Sequence, residues 1–259
     1  MLKRYRDQRR GPDYRQGEQV SFNDIKQVFG LNHIRLGSWV DEEEKHKAAN
    51  FIFDALADLA YILKLPPMAI GLRQSLNLAF GSGGQPGVQA HYMPPARELA
   101  LAKNAGAGAL AHEFWHAFDH YIASKAYRLD CAATTFASSC WLNDVPTISH
   151  PLNQRLEALF QTSLLTADGQ DSHDYVKRAV ALDKQYGRYY FAHPSELMAR
   201  AFEACIEVHP EVYNPYLVNE TLDSELARAG GYPDPEHRQQ IFLQLLNYFA
   251  PLGEALQRE

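Results

Sequence analysis

The chain has 259 residues, of which 46% are hydrophobic and 22% are charged, and its formal net charge is −6. Such a chain is long enough to bury a substantial core, and its negative charge argues against a protein dedicated to nucleic-acid binding. Basic residues are concentrated at the start of the chain, so we expect residues 1–20 to form a solvated, partly disordered basic arm. Binding of this arm to a nucleic acid is the alternative.

The start of the chain and its apolar stretches indicate a cytoplasmic protein. The first basic residues lead into a polar segment rather than an apolar one, which argues against a signal peptide. The longest apolar stretch, residues 49–63, is interrupted by Asp54 and Asp58, so it predicts no membrane span. The three cysteines lack the spacing of a zinc site, which indicates reduced thiols.

Most of the chain has apolar residues at helical spacing. We predict helices at residues 21–30, 41–63, 107–124, 152–166, 172–186, 194–208 and 236–250. Residues 71–108 hold much of the glycine and some alternating segments, which predicts strands near residues 76–80, 87–93 and 98–103. We interpret residues 126–151 as irregular. The predicted fold is α+β, mostly helical with a small mixed sheet, in one domain over residues 21–259.

The residues HEFWH at positions 112–116 carry the strongest chemical signal. On a helix, His112 and His116 project from the same face one turn apart and can share one metal ion. Glu113 lies beside them, placed to act on a metal-bound water. The flanking residues are apolar, so this helix should be buried, and buried polar side chains need partners that a metal would supply. We therefore predict a Zn²⁺ site, the alternative being two polar histidines on an ordinary helix.

A catalytic zinc ion needs a third protein ligand and an open position for water. His120 lies about 12 Å from His112 along the helix, at about 1.5 Å per residue, too far to share one ion. Glu196, at the start of a predicted helix, is the candidate, and Glu203 is its rival on the same helix. We predict Glu196 as the ligand, because side chains at a helix start lean toward its N-terminal end.

The segments HEFWHAFDHY and YYFAHPSELMARAFEA resemble the gluzincin metallopeptidases, in which two helix histidines and a glutamate of a later helix hold zinc. They are similar to the catalytic domains of the anthrax lethal factor and the Mlc titration factor peptidases. The resemblance implies that Tyr189, seven residues before Glu196, lies beside the metal. It also implies a zincin-like fold whose sheet lies beside the HExxH helix.

A wider similarity covers residues 28–208. This part resembles the family called CLCA_X and the metallopeptidase-like domain associated with large polyvalent proteins, which leaves residues 209–259 as a helical extension.

Three further side chains are predicted to support the ligands. Asp119, one turn after His116, could accept a hydrogen bond from a ligand imidazole, and Glu203 could support a ligand histidine or pair with Arg200. Arg200 departs from the family pattern, because lethal factor has an acidic residue there. It could pair with Glu196, Glu203 or Asp119.

The function implied is that of a zinc metallopeptidase acting on a peptide or protein substrate. Glu113 would accept the proton of the zinc-activated water as the water attacks a peptide carbonyl. Tyr189 would donate to the developing oxyanion, with Tyr190 as the neighbouring alternative. Residues 88–94 could form an exposed strand edge on which an extended peptide pairs. The alternative function is a catalytically silent zincin-fold module that binds a protein or a nucleic acid.

Overall fold

The computed structural model of the protein describes residues 9–38, 40–81, 90–102, 109–128 and 134–258. Its helices are α1 (Phe22–Val28), α2 (Glu42–Ile62), α3 (Leu110–Ala126), α4 (Ala137–Leu142), α5 (Pro151–Leu164), α6 (Asp174–Tyr186), α7 (Pro194–Glu207), α8 (Glu225–Arg228) and α9 (Pro235–Leu256). Its strands are β1 (His33–Leu36), β2 (Asn77–Phe80), β3 (Ala90–Met93) and β4 (Glu98–Leu101). The predicted mixed fold, mostly helical with a small mixed sheet, is confirmed.

The four strands form one sheet in the order β1-β2-β4-β3. The pairs β1–β2 and β2–β4 are parallel, whereas β3 runs antiparallel to β4 with His91 opposite Ala100. Among the described strands, β3 therefore pairs along one side only and forms an edge of the sheet. Three strands lie where the sequence predicts them, and β1 is an addition. Part of the second predicted strand and the last residue of the third lie outside the described residues.

Short local signals account for the ends of the helices that frame the sheet and the site. Asp41 caps α2 by accepting a hydrogen bond from the backbone N–H of Glu44 at 2.8 Å, within a capping box. Gly187 ends α6 in the left-handed conformation at φ 62°, which glycine adopts without strain. Pro194 then begins α7 at the position where proline is favoured. Residues 187–193 thus form a short connection between two well-defined helix ends.

Helix α3 lies at the centre of the molecule, in contact with α4, α7, β3 and β4. Its start has no side-chain cap, but the backbone N–H of Ala111 donates to the carbonyl of Leu217 at 3.1 Å. The buried Trp115 packs on Phe202 of α7 at 5.1 Å between ring centroids, and Phe118 packs on Phe249 of α9 at 4.9 Å. Full burial of such a ring contributes roughly 1.5–3 kcal/mol, so these contacts hold α3 in place.

Two regions differ from the sequence-based expectation. Helix α4 lies within the segment predicted to be irregular, of which residues 129–133 lie outside the described ranges. Arg9 and Arg15 of the predicted solvated arm bind the carboxylates of Asp58 and Asp54 on α2 through their guanidinium groups, whereas residues 10–13 are exposed.

Two features bear on the expected cellular compartment. Over the ranges that the structure describes, no helix is both long enough and apolar enough to cross a membrane. Cys140 and Cys205 are buried thiols, and Cys131 lies outside the described ranges.

Candidate metal site

The polar face of α3 meets the start of α7. The apolar face of α3 is held against α7 by the rings of Phe114, Trp115 and Phe202. Because residues four apart lie on one face of a helix, His112 and His116 then project together toward the first turn of α7. Glu196 occupies that turn, two residues after Pro194. The packing of the two helices therefore brings the three predicted ligands to one place.

The three side chains are close enough to share an ion. The Nε2 atoms of His112 and His116 are 3.1 Å apart. The Glu196 carboxylate lies 3.4 Å from Nε2 of His112 through one oxygen and 3.3 Å from Nε2 of His116 through the other. In the described part of the chain, this is the group of potential ligands whose atoms all lie within 4.8 Å of one another. His120, one turn further along, instead shares a 2.7 Å hydrogen bond through Nδ1 with the Tyr92 hydroxyl of β3.

The chemistry of these side chains fits a zinc ion. Two imidazoles and one carboxylate are the protein ligands of many catalytic zinc sites, which leave one position open. Oxygen Oε2 of Glu196 is buried, and its charged partners are Nε2 of His112 at 3.4 Å and Nη1 of Arg200 at 3.9 Å. Both contacts are long, so a metal cation within the cluster would add to the compensation of this buried charge.

The charges of the cluster are strongly coupled. Burial alone would lower the pKa of His112, but the carboxylates of Glu203 and Glu196 outweigh it and raise that pKa to about 10. Burial would raise the pKa of Glu196, yet hydrogen bonds and positive charge from His112 and His116 bring it well below its usual range. The site thus already favours positive charge at the place where a metal cation would sit.

Glu203 supports His112 from the other side of the ring. Its Oε2 lies 3.3 Å from Nδ1 of His112, whereas Glu196 faces Nε2. Glu196 and Glu203 are two turns apart on one face of α7, so a single helix contacts both nitrogens of one imidazole. A carboxylate at Nδ1 keeps the proton on that nitrogen and leaves Nε2 available as a ligand. The supporting role predicted for Glu203 agrees with this geometry.

The side chain of Arg200 is buried, and its ion-pair partner is Glu196. Its Nη1 is 3.9 Å from Oε2 of Glu196, its Nε donates to the carbonyl of Gly231 at 2.9 Å, and its Nη2 donates to the carbonyl of Phe191. Of the partners considered for Arg200, Glu196 is therefore the one with which it forms an ion pair. The guanidinium also joins the loop before α7 to the loop before α9.

Among the described residues, Asp119 makes its hydrogen bonds to Ser138 and not to the predicted ligand imidazole. Its carboxylate accepts hydrogen bonds from the backbone N–H and the hydroxyl of Ser138, at 2.8 and 2.6 Å, and so caps the first turn of α4. Nδ1 of His116 is buried without a hydrogen-bond partner among the described residues. Burial raises the pKa of Asp119 to about 6, although the bonds from Ser138 oppose the shift. The sequence spacing was correct, but the neighbouring helix α4 supplies better donors for this carboxylate.

Tyr189 and Tyr190 both line the cleft in front of the candidate ligands, and the charge of Glu196 acts on Tyr190. The side chain of Tyr189 is 69% exposed and its ring packs on His193, with 5.6 Å between centroids. Burial raises the pKa of Tyr190, and the nearby negative charge of Glu196 raises it further. The role predicted for Tyr189 stays a prediction, and Tyr190, the alternative considered from sequence, is the tyrosine whose hydroxyl the charge of Glu196 influences.

Asp183 of α6 determines this orientation, and sequence reasoning missed it. Its carboxylate accepts hydrogen bonds from the backbone N–H groups of Tyr190, Phe191 and Ala192, at 2.8, 2.7 and 2.8 Å. Three such donors hold the pKa of Asp183 below its usual range, although burial opposes the shift. An aspartate late in an amphipathic helix has no local pattern that distinguishes it from a solvated side chain.

An open cleft of about 500 Å³ lies in front of the three candidate ligands. Glu113, Tyr189, Tyr190 and Phe136 line it beside the ligands. The edge strand β3 contributes Ala90 through Tyr92 to the opposite wall. The hydrogen bond between Tyr92 and His120 ties that strand to α3. A carboxylate, two phenols and a strand edge therefore share one cleft.

Comparison with known proteins adds one similarity. Residues 182–256, less than a third of the chain, match the family described as large polyvalent protein-associated domain 1. No curated protein matches the chain, and no solved structure does. The matched segment contains Asp183, Glu196, Arg200 and Glu203, whereas His112 and His116 lie outside it. The C-terminal part of the chain, which supplies one of the three candidate metal ligands, is therefore similar to a domain associated with large polyvalent proteins.

Proposed function

We propose that the protein is a zinc-dependent metallopeptidase with a zincin-like fold, as the resemblance to the gluzincins implies. The observation that carries the proposal is the meeting of His112, His116 and Glu196 in a cleft that an edge strand also lines. The HExxH pair and a glutamate from a later helix are the ligand set of that class of enzyme. The expected substrate is an extended peptide or an unfolded protein segment.

His112, His116 and Glu196 would hold the ion, which when bound supplies a Lewis acid that lowers the pKa of water toward 7. The carboxylate of Glu113, in the same cleft, accepts the proton of the attacking water and delivers it to the leaving amine. The hydroxyl of Tyr190 donates a hydrogen bond to the oxygen on which negative charge develops.

In this proposal, strand β3 aligns the peptide substrate. A strand that pairs along one side only offers backbone donors and acceptors to an extended peptide, which gives affinity independent of side chains. The hydrogen bond between Tyr92 and His120 ties this edge to α3. A peptide bound along the edge would therefore lie in the cleft that Glu113 lines. We expect little sequence preference from the backbone contacts themselves.

Arg9 and Arg15, in the described part of the basic arm, do not favour nucleic-acid binding. Arg9 and Arg15 each form a two-pronged ion pair with a carboxylate of α2. These guanidinium groups are therefore already compensated, and they are not available to bind phosphates without losing their partners.

Zinc binding tests the ligand set. Titration of the metal-free protein with Zn²⁺ should give one site per chain, with severe loss of affinity in Glu196→Ala because a direct ligand is missing. Glu203→Ala should weaken binding by about 10–100-fold, as expected for a side chain that orients a ligand. Glu225→Ala, an exposed glutamate of α8, is the matched control. A larger loss in Glu203→Ala than in Glu196→Ala would overturn the assignment.

Hydrolysis tests the reaction. The zinc-loaded protein should cleave a fluorescently labelled unfolded protein, and Glu113→Gln should retain zinc but lose cleavage because an amide cannot accept the proton of water. Cleavage that survives this substitution would show that Glu113 is not the base. Stoichiometric zinc without any cleavage of unfolded protein by the wild type would favour the catalytically silent module.

A further inference from the structure

The buried guanidinium of Arg200 meets three parts of the chain. Its Nε donates to the carbonyl of Gly231 at 2.9 Å, and its Nη2 donates to the carbonyl of Phe191. Its remaining nitrogen, Nη1, is buried without a hydrogen bond to the described residues, and Oε2 of Glu196 lies 3.9 Å from it. A guanidinium presents its N–H donors in one rigid plane, so the bonds to the two carbonyls fix the direction in which Nη1 points.

The loop that accepts from Arg200 is itself held in place. Gly231 lies between two residues whose carbonyls accept hydrogen bonds from Arg178 of α6. Nε of Arg178 donates to the carbonyl of Gly230 at 3.1 Å, and its Nη2 donates to that of Tyr232 at 3.2 Å. A Cβ atom on Gly231 would lie 2.5 Å from the side chain of Leu226, so this close packing requires glycine. The three carbonyls are therefore fixed relative to α6 and α7.

The two oxygens of the Glu196 carboxylate have different surroundings. Oε1 lies 3.3 Å from Nε2 of His116, whereas the neighbours of the buried Oε2 are Nε2 of His112 at 3.4 Å and Nη1 of Arg200 at 3.9 Å. His112 can bind a metal through Nε2 only when that nitrogen carries no proton, and it then offers no hydrogen bond to Oε2. Among the described residues, Arg200 is the cation that remains beside this oxygen.

We propose that Arg200 is a positioning residue that holds Oε2 of Glu196 away from the metal and leaves Oε1 as the single coordinating oxygen. The loop of residues 230–232 acts through Arg200, because its middle carbonyl determines where the guanidinium lies. With two imidazoles and one oxygen as protein ligands, the fourth position of a zinc ion stays open. A carboxylate that bound through both oxygens would occupy that position. This role rests on the metal site of the proposed function but not on peptide hydrolysis.

Cobalt in place of zinc reports the number of ligands, because the visible absorption of Co²⁺ weakens when a four-coordinate ion becomes five-coordinate. The Co²⁺-loaded wild type should show the intense band of a four-coordinate ion. Arg200→Lys keeps the positive charge but cannot reach two carbonyls and Oε2 together, so Glu196 should bind through both oxygens and the band should lose intensity. A weak, five-coordinate band in the wild type would overturn the proposal. A folded Arg200→Lys protein with the wild-type spectrum would also overturn it.

Zinc affinity provides a second test that leaves Arg200 unchanged. Gly231→Ala displaces the carbonyl to which Nε donates, so zinc affinity should fall about 10–100-fold, as expected when a group that orients a ligand is lost. Gly30→Ala is the matched control, because its added methyl group would lie 2.7 Å from the carbonyl of Met68, outside the cleft. It should lower the thermal stability of the metal-free protein without changing zinc affinity. Equal zinc affinity in the two variants would contradict the role of the loop.

Metal binding also separates this proposal from the proposed function. A wild type that binds neither zinc nor cobalt would overturn the metal site and the role of Arg200 together. Metal binding that Arg200→Lys and Gly231→Ala leave unchanged would overturn the role of Arg200 alone. Zinc binding that responds to both substitutions, without cleavage of unfolded protein, would support the role of Arg200 and contradict the proposed hydrolysis.

Discussion

The imidazole of His112 lies between two carboxylates of the same helix, Glu196 at Nε2 and Glu203 at Nδ1. Such an arrangement orients the ring and selects its tautomer at once, since the nitrogen that faces Glu203 must carry the proton for a hydrogen bond to form. Arg200 then balances the negative charge of Glu196 from the interior. The role of each of these residues therefore depends on the atom that it faces, and not on its distance from the others in the sequence.

The tyrosine assignment gives a sharp test at the level of single residues. Tyr190→Phe should lower kcat for cleavage of unfolded protein by about 10²-fold, the lower range for loss of one oxyanion donor, with zinc content unchanged. Tyr189→Phe is the matched comparison: its side chain also lines the cleft but is 69% exposed and packs on His193, so its kcat should fall less than that of Tyr190→Phe. Steady-state kinetics of both variants decide between the two neighbours. The reverse order would return the role to Tyr189.

The pair of tyrosines also shows where sequence reasoning fails at a site. The spacing of His112, Glu113 and His116 is set by one turn of a helix, so their common face follows from the sequence alone. The choice between Tyr189 and Tyr190 depends on three backbone hydrogen bonds to Asp183, which comes from another helix. Contacts of this kind are not encoded near the residues that they orient.

At the scale of elements, the helices depend on local sequence signals, whereas the sheet depends on contacts between distant segments. The long helices begin close to their predicted starts, because apolar spacing and capping signals are local, although α9 continues beyond its predicted end at residue 250 to Leu256. Strand β1 was missed, because its pairing of His33 with Asn77 joins segments that lie far apart in the sequence. Its four residues alternate in burial, but so short a segment does not indicate a strand without that partner. Helix α4 was missed for a similar reason, since Asp119 of α3 caps it.

The junction between α6 and α9 should make stability depend on pH. The ring of His173, which caps α6, stacks on His237 of α9 with 3.5 Å between centroids. Burial lowers the pKa of both rings below the usual value of 6.5. The unfolded chain then binds protons more readily than the folded one, so stability is full above about pH 6.5 and declines as the pH falls toward the lowered values.

Urea unfolding at pH 7.5 and pH 5.5 measures this effect. His173→Asn keeps a side chain that caps a helix but removes one titrating ring, so its free energy of unfolding should fall less between the two pH values than that of the wild type. His46→Asn, on an exposed part of α2, is the control and should keep the wild-type difference. An identical pH dependence in His173→Asn would show that the stacked pair does not contribute.

At the scale of the whole molecule, distant parts of the chain converge on the proposed site. Helix α3 lies outside the segment that resembles a domain associated with large polyvalent proteins, and α7 lies inside it. Helix α9, also within that segment, packs on both α5 and α7 and contacts α3 through Phe249. The site therefore requires the C-terminal segment to pack against the middle of the chain. The N-terminal residues form a further contact with both parts.

That connection is centred on Asp58, whose carboxylate is buried in α2. It accepts hydrogen bonds from Nε and Nη2 of Arg9 at 2.8 and 2.7 Å, and from the amide of Asn214 at 2.8 Å. Arg10 also pairs through its backbone with Tyr213. The carboxylate of Asp58 thus joins the N-terminal residues, α2 and the segment after α7. That segment continues to Leu217, whose carbonyl accepts a hydrogen bond from the backbone N–H of Ala111 at the start of α3.

Removal of the Arg9 side chain should therefore destabilise the whole fold. Arg9→Met retains much of the aliphatic stem but leaves a buried carboxylate without its cation, at an expected cost of about 3 kcal/mol in the free energy of unfolding. Lys47→Met, which breaks an exposed pair with Glu43, should cost less than about 0.5 kcal/mol. Chemical denaturation measures both. Adding Asp58→Asn to Arg9→Met should recover part of the loss, because the uncompensated charge is then gone. Equal small losses in Arg9→Met and Lys47→Met would mean that residues 9–15 contribute little to stability.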